Sequence, residues 1–434
     1  MKKLLGCFFY ALIFVLSVFA KENEFRVTVS SDSSEKMKLL ICMNSYEKEL
    51  IPVANVLKSD FEFSQQFDVV VKSYGIIEKK SQLKKLCERG YPFVLFLSFS
   101  KDDGLTWMLH DTQQGEVIKR KLVRVFSFSR FDSHCVASSI WPELTGQKGV
   151  FTTKIAYCKD GNKIKIGNRE MRARHVYTAE FDGKNSRCLV GIPTYCIAPR
   201  WNKDPANPTV LYSEHTKSNL RLMGVDLYGK RWVASNLKGL NMLPSFSATG
   251  GKTVLCLSGS GNGNLYLLDE SKKGSRILTR LTSKGRNFSP CMLDDGSGLF
   301  FCSDFQSQRP QIYFMRLPDK KIKKITTGGY CVSPNYSSVA KKLVYAKMVS
   351  GVLQLFLYDA KTKEHKQVTF NYGNKDDCSW SPCGNYLIYS VRNKGRSRIA
   401  IMHIITRNVR FVTGANEYCT YPSWSPVYTK FVSA

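Results

Sequence analysis

Six copies of a short apolar strand recur along the last two thirds of the chain, and no other feature narrows the possible folds as sharply. They are Ile155-Ala156-Tyr157-Cys158, Val210-Leu211-Tyr212-Ser213, Val254-Leu255-Cys256-Leu257, Leu299-Phe300-Phe301-Cys302, Leu343-Val344-Tyr345-Ala346 and Leu387-Ile388-Tyr389-Ser390. Their third positions lie 55, 44, 45, 44 and 44 residues apart. A period of about 44 residues filled with strand-like segments predicts propeller blades, because one such unit cannot bury its apolar face without neighbours. Such a ring mainly presents surface, so binding is the expected kind of function.

A second marker precedes five of these strands: Pro199-Arg200-Trp201, Pro244-Ser245-Phe246, Pro290-Cys291-Met292, Ser333-Pro334-Asn335 and Cys378-Ser379-Trp380. The first blade lacks it in front of Ile155, whereas the C-terminus carries a spare, Pro422-Ser423-Trp424. The ring is therefore expected to close by lending its C-terminal strand to the first blade, which leaves no open edge. Phe431 to Ala434 has no place in that scheme.

The chain has 434 residues, enough for two or three domains with cores of their own. Lys2 and Lys3 precede an apolar run from Leu4 to Phe19, and Val18-Phe19-Ala20 offers a cleavage site, so residues 1–20 read as a secretory signal peptide. No second run approaches spanning length, so the expected mature protein is exported and does not span a membrane. Removing Cys7 leaves 13 of the 14 cysteines, an odd number that implies at least one unpaired thiol. Cys158, Cys256 and Cys302 fall inside the repeated strand as small packing residues. Cys378 and Cys383 flank a turn and are candidates for pairing.

Residues 21–36 are polar with one alternating segment, Phe25, Val27 and Val29, suited to an edge strand or to an arm that pairs with something else. Residues 37–145 alternate between strand and helix periods and predict a compact α/β domain. Its expected elements are strands at Lys38 to Met43, Phe67 to Val71, Phe93 to Ser98, Leu105 to Leu109 and Lys119 to Val125. Helices are expected at Glu49 to Ser59, after a Ser81 cap and ending before Gly90, and at Ser129 to Leu144. Residues 149–434 then form an all-β six-bladed propeller.

Charge follows the same division. Residues 21–140 carry 18 Lys and Arg against 16 Asp and Glu, whereas residues 141–434 carry 44 against 19. The propeller therefore attracts acidic partners, among them anionic envelope polymers such as peptidoglycan. Nucleic acid is not expected, given the export signal and the lack of basic runs interleaved with aromatics.

No catalytic or cofactor motif stands out. Ser100-Lys101-Asp102-Asp103-Gly104-Leu105-Thr106-Trp107 fits the Asp-box pattern of sialidases, but it occurs once, outside the repeats, and is better explained as a hairpin turning at Asp103-Gly104. Gly259-Ser260-Gly261-Asn262-Gly263-Asn264 lacks the helix and Lys-Ser/Thr of a phosphate loop and reads as a blade hairpin. His110, His134, His175, His215, His365 and His403 are scattered without ligand spacing. Neither metal nor cofactor is expected, and binding is favoured over catalysis. The rival reading is a propeller enzyme or binding module that acts on acidic cell-envelope glycans.

The export signal, the α/β domain, the junction Leu144-Thr145-Gly146-Gln147-Lys148-Gly149-Val150-Phe151-Thr152-Thr153-Lys154-Ile155-Ala156-Tyr157, the repeats and the terminal Tyr421-Pro422-Ser423-Trp424-Ser425-Pro426 together resemble the TolB family of the Tol-Pal envelope system. The resemblance implies a monomeric periplasmic adaptor. It would bind the peptidoglycan-associated lipoprotein Pal at one mouth of the propeller and TolA through its N-terminal arm, in support of outer-membrane integrity and constriction at cell division. Glu24, Phe25, Arg26, Val27, Thr28 and Val29 resemble that arm. The Pal-contacting positions of the family precede the Pro of each repeat, which points here to Leu240, Met242, Leu243, Asn287, Phe288, Ser289, Cys331, Asp377 and Tyr421. The family's better known versions place His at the first of these positions and a Thr-Glu pair where this chain has Phe288-Ser289.

Overall fold

In the computed structural model, residues 36–428 are described apart from 45–46, 75–78, 125–127, 167–168, 218, 238, 249–250, 260 and 271–276. The arm positions Glu24 to Val29, the signal segment and the last residues, 429–434, lie outside the described part.

The N-terminal domain is a five-stranded sheet with three helices. Its strands are β1 (Met37–Met43), β2 (Phe67–Ser73), β3 (Phe93–Ser100), β4 (Gly104–Asp111) and β5 (Glu116–Val123), and its helices are α1 (Ile51–Phe63), α2 (Lys80–Glu88) and α3 (Arg130–Thr145). The sheet order is β2-β1-β3-β4-β5, parallel among the first three strands and antiparallel after β3. Near-continuous burial of Leu39 to Met43 and Phe93 to Leu97 reflects strands covered on both faces, α1 and α3 packing on one side and α2 on the other. The Asp-box segment is the β3–β4 hairpin, with Gly104 at φ +98° opening β4. One expectation is corrected at α2. Lys79 rather than Ser81 precedes the helix, and Gln82 closes the first turn by accepting the Lys79 amide proton at 2.9 Å.

From Lys154 onward the chain forms six four-stranded antiparallel sheets. Blade 1 contains the hairpin β6 (Lys154–Ile166) and β7 (Arg169–Glu180) and takes its inner strand, Cys419–Trp424, from the far end of the chain. The spare marker thus closes the ring as expected. The inner strands of blades 2 to 6 are Cys196–Trp201, Asn241–Phe246, Asn287–Met292, Cys331–Ser337 and Asn374–Trp380. All 13 described cysteines are free, so Cys378 and Cys383 do not pair; Cys378 Sγ instead meets the Ser333 carbonyl at 3.4 Å.

The α/β domain sits on the end of the ring where inner strands finish. Gln147 accepts from Asn385 at 2.7 Å, Thr406 donates to Gln65 at 2.5 Å, and Phe63 packs on Phe181 and Tyr386 with centroids 4.8 and 5.0 Å apart. Phe61, Trp141, Phe151 and Phe181 continue one apolar core from domain to propeller.

Within that core lies a polar cluster. His134 Nδ1 is 2.7 Å from Asp60 and its Nε2 is 3.3 Å from Glu180, while Arg130 bonds Glu180 at 2.5 Å and Asp182 at 2.7 Å. Both imidazole nitrogens face carboxylate oxygens, which requires the doubly protonated ring. Burial pulls its pKa down, but the bonds to Asp60 and Glu180 outweigh that and hold it raised, at about 8. Glu180 is held at about 2, where bonds from His134, Arg130 and Asn185 overcome its desolvation.

Candidate partner-binding mouth and central cavity

The Pro marker has a geometric cause. Every inner strand carries a bulge at the same place, and the residue entering it has left-handed backbone: Ala198, Leu243, Ser289, Ser333, Asp377 and Tyr421 have φ between +48° and +56°. That conformation costs a non-glycine residue roughly 1 kcal/mol, and none of the six is β-branched. Proline follows in five cases because the bulge interrupts the ladder where its missing N–H would otherwise be needed.

The next residue joins the blades. The Met292 amide donates to Ser245 Oγ at 2.8 Å, Tyr336 to Cys291 Sγ at 3.2 Å, Trp380 to Asn335 Oδ1 at 3.0 Å, Trp424 to Ser379 Oγ at 3.1 Å, and Trp201 to Ser423 Oγ at 3.3 Å. Each clasp links one blade to the next, and the last spans the ring closure. Between blades 2 and 3 the equivalent residue is Arg200, whose guanidinium has no acceptor. Arg200 instead lines the central cavity.

That cavity has a volume of about 670 Å³ and runs from the bulge residues towards the turns that follow the inner strands. Met242, Leu243, Ser289, Asp377 and Tyr421 share its wall. Asp377 is buried, and one of its carboxylate oxygens has no hydrogen-bond partner. Desolvation first and neighbouring Asp376 second push its pKa well above the usual carboxylate range, against the pull of Arg200 and Arg392. Among the described residues no three His, Cys, Asp or Glu side chains gather as a metal site would require.

The remaining expected contact positions divide differently. Leu240 is 40% exposed on the loop that enters blade 3, at the end of the ring away from the α/β domain. Phe288 is half-buried against the cores of neighbouring blades. Asn287 and Cys331 are 1% and 0% exposed, and neither offers a surface to a partner. The Asn287 amide donates to the carbonyls of Lys284 and Gly285, so it holds its own loop, and Cys331 fills the matching place in blade 5. The expectation of contact at these two is corrected: a first inner-strand position points into the blade.

Sequence reasoning missed other residues at this mouth. Leu237, Phe370 and Tyr372 are 46%, 74% and 91% exposed on the loops entering blades 3 and 6. Their signal was apolar residues in turns beside Gly239 and Gly373, where none is needed for a core. The β6–β7 hairpin was also missed, although the first interval of 55 residues instead of 44 marked it.

Fold and site together define a closed six-bladed propeller with an α/β domain sealed to one end and an exposed apolar mouth at the other, a binding protein. A model of the TolB beta propeller domain matches residues 141–428, two thirds of the chain, and the protein belongs to that family. It is accordingly a non-enzymatic member of the Tol-Pal system. It is 27% identical over 330 residues to the Tol-Pal system protein TolB of Francisella tularensis subsp. mediasiatica, covering 73% of each chain. TolB from Acinetobacter baumannii superposes with a TM-score of 0.75 at 23% identity, over 90% of this chain and 97% of that one. A chain of Kuenenia stuttgartiensis hydrazine synthase, 14% identical over 66% of this chain and 48% of its own, shares only the fold at a TM-score of 0.51. Among the described residues no helix is long and apolar enough to cross a membrane.

Proposed function

We propose that the protein is a periplasmic adaptor that binds a Pal-like, peptidoglycan-associated lipoprotein at the propeller mouth and TolA through Glu24 to Val29, supporting outer-membrane integrity and constriction at division. The observation that carries this reading is the exposed apolar set Leu237, Leu240, Phe370 and Tyr372, on the end of the ring that the α/β domain leaves uncovered. Exposed aromatic and aliphatic side chains of this kind act as anchors when a partner buries them. The arm would add a strand to a sheet of its partner, its alternation of Phe25, Val27 and Val29 giving one apolar face.

Pull-down with the full mature chain and with a chain lacking residues 21–34 tests both halves. The lipoprotein should be captured by both chains and the periplasmic domain of TolA only by the longer one. Capture of neither, or turnover of an acidic envelope glycan that disappears on substitution of a mouth residue, overturns the reading.

A further inference from the structure

The β6–β7 hairpin departs from every other blade. Its strands have 13 and 12 residues, against eight and eight in the corresponding hairpins of blades 5 and 6. By register with those blades, residues 162–172 stand where blade 5 has the two-residue turn 350–351, so the hairpin itself holds nine of the eleven residues by which the first interval exceeds 44. The extension continues off the uncovered end of the ring, beside the mouth, and five more residues of strand carry it roughly 15 Å outward.

Its base is anchored. Arg174 Nε bonds Asp160 Oδ1 at 2.6 Å, and the guanidinium lies 4.6 Å from the Tyr195 ring and 5.5 Å from Tyr418. The Arg174 amide donates to the Thr194 carbonyl and the Asp160 amide to the Tyr418 carbonyl. Lys159 reaches Glu417 at 2.5 Å. Tyr195 and Tyr418 immediately precede the inner strands of blades 2 and 1, so these contacts fix the hairpin to the mouth loops themselves. Above the base a bulge at Gly161 redirects the strands. A Cβ on Gly161 would lie 2.5 Å from His175 Nε2, so a larger residue there would displace that ring.

Beyond the bulge the hairpin carries a surplus of positive charge. Residues 162–172 contain four Lys and Arg against one Glu. Asp160 is consumed by Arg174, and the exposed Lys163–Glu170 pair at 3.5 Å is too well solvated to neutralise much. Lys163, Lys165 and Arg172 are exposed. A rigidly planted basic strand pair beside an apolar mouth is suited to steer and register an acidic segment of whatever protein docks there.

We propose that the β6–β7 hairpin is a second contact for the mouth's protein partner, and that it binds an acidic segment of that partner. This rests on the reading of the mouth as a protein-docking site, and it deepens that reading by naming the chemistry of one part of the partner. The occupant is an acidic polypeptide because the exposed cations lie along two paired strands continuous with the protein-binding mouth.

Two probes separate the possible failures: an octaglutamate peptide and the organism's lipid-free peptidoglycan-associated lipoprotein. Each is titrated at 20 and 200 mM salt into the mature chain and into two charge-reversed variants. One variant combines Lys163→Glu, Lys165→Glu and Arg172→Glu; the other combines Lys323→Glu, Lys361→Glu and Lys366→Glu on outer blade edges. The hairpin variant should weaken both probes at least about tenfold at low salt and flatten their salt dependence, while the outer variant changes either by no more than about twofold. Equal losses in the two variants would assign the effect to overall charge and overturn the proposal. So would unchanged binding in the hairpin variant, or failure of the wild-type chain to bind octaglutamate. If octaglutamate binds through the hairpin and the lipoprotein does not bind at all, the hairpin's chemistry stands and the docking role of the mouth falls. Unchanged circular dichroism and melting temperature establish that the variants are folded.

Discussion

The two ends of this propeller are built from opposite materials. At the end covered by the α/β domain, aromatic rings interlock around buried ions: His134, Asp60, Glu180 and Arg130 are each matched within 3.3 Å. At the other end apolar side chains stand in solvent and cations are left over. A buried ion is tolerated where an opposite charge meets it at hydrogen-bond distance, although one Asp60 oxygen here has no partner. Exposed apolar surface is retained where something covers it part of the time. The contrast teaches that a ring with near-sixfold repetition acquires direction from its turns, because the strands themselves are nearly equivalent.

The covered end should fail first under substitution. Trp424→Ala removes a ring that stacks on Tyr386, donates to Thr153 Oγ1 at 2.9 Å and completes the closing strand. We expect a loss of about 4 kcal/mol, read from denaturant unfolding. His134→Ala takes from Asp60, whose carboxyl pKa burial already raises to about 6, its bonded partner in the core and takes one bond from Glu180, which should cost about 3 kcal/mol in the same measurement. A loss below about 1 kcal/mol in that variant would show that the ion cluster does not hold the ends apart in character.

The same cluster predicts a pH dependence. His134 has its pKa raised in the folded state, so its contribution is complete below pH 6.5 and declines as pH rises through about 8. The shift corresponds to roughly 2 kcal/mol. Glu180 works in the opposite sense, contributing above its ordinary value and losing that contribution as pH falls towards about 2. Stability measured from pH 6 to 9 should therefore fall in wild type and fall less in the His134→Ala variant. A parallel decline in both would remove His134 as the cause.

Effects at the open end should be smaller on stability and larger on binding. Leu240→Glu with Tyr372→Glu should leave the melting temperature within about 2 °C, since both side chains are exposed, and weaken lipoprotein capture about tenfold or more. The smallest predicted effect concerns the unclasped seam between blades 2 and 3. Arg200→Ser supplies the missing acceptor and should stabilise by about 1 kcal/mol, whereas Ser423→Ala, which removes an existing clasp, should destabilise by a similar amount.

Much of the architecture was legible in the residues. Strand recurrence gave blade count, the spare marker gave the closure, and alternating periods gave the α/β domain. The site was legible only in part. Leu243, Ser289, Asp377 and Tyr421 are equivalent in sequence to Ala198 and Ser333, and all six line the cavity because a left-handed bulge sits at each. Asn287 and Cys331 precede the same prolines and point inward, since side chains alternate along a strand and loop position alone does not reveal the phase. His134 looked solitary because its partners, Asp60 and Glu180, are 74 and 46 residues away in the chain.

By itself the sequence determined that this protein is a closed ring preceded by an α/β domain, because a local repeat that cannot bury its own face has few other solutions. It also placed the positive charge on the ring. Only the tertiary structure decided which end of the ring is sealed, which bulge residues share one cavity, why Arg200 leaves a seam, and that the lengthened hairpin of blade 1 stands beside the open mouth. Those facts depend on contacts between distant segments and on which way a side chain faces, and neither is encoded in spacing along the chain.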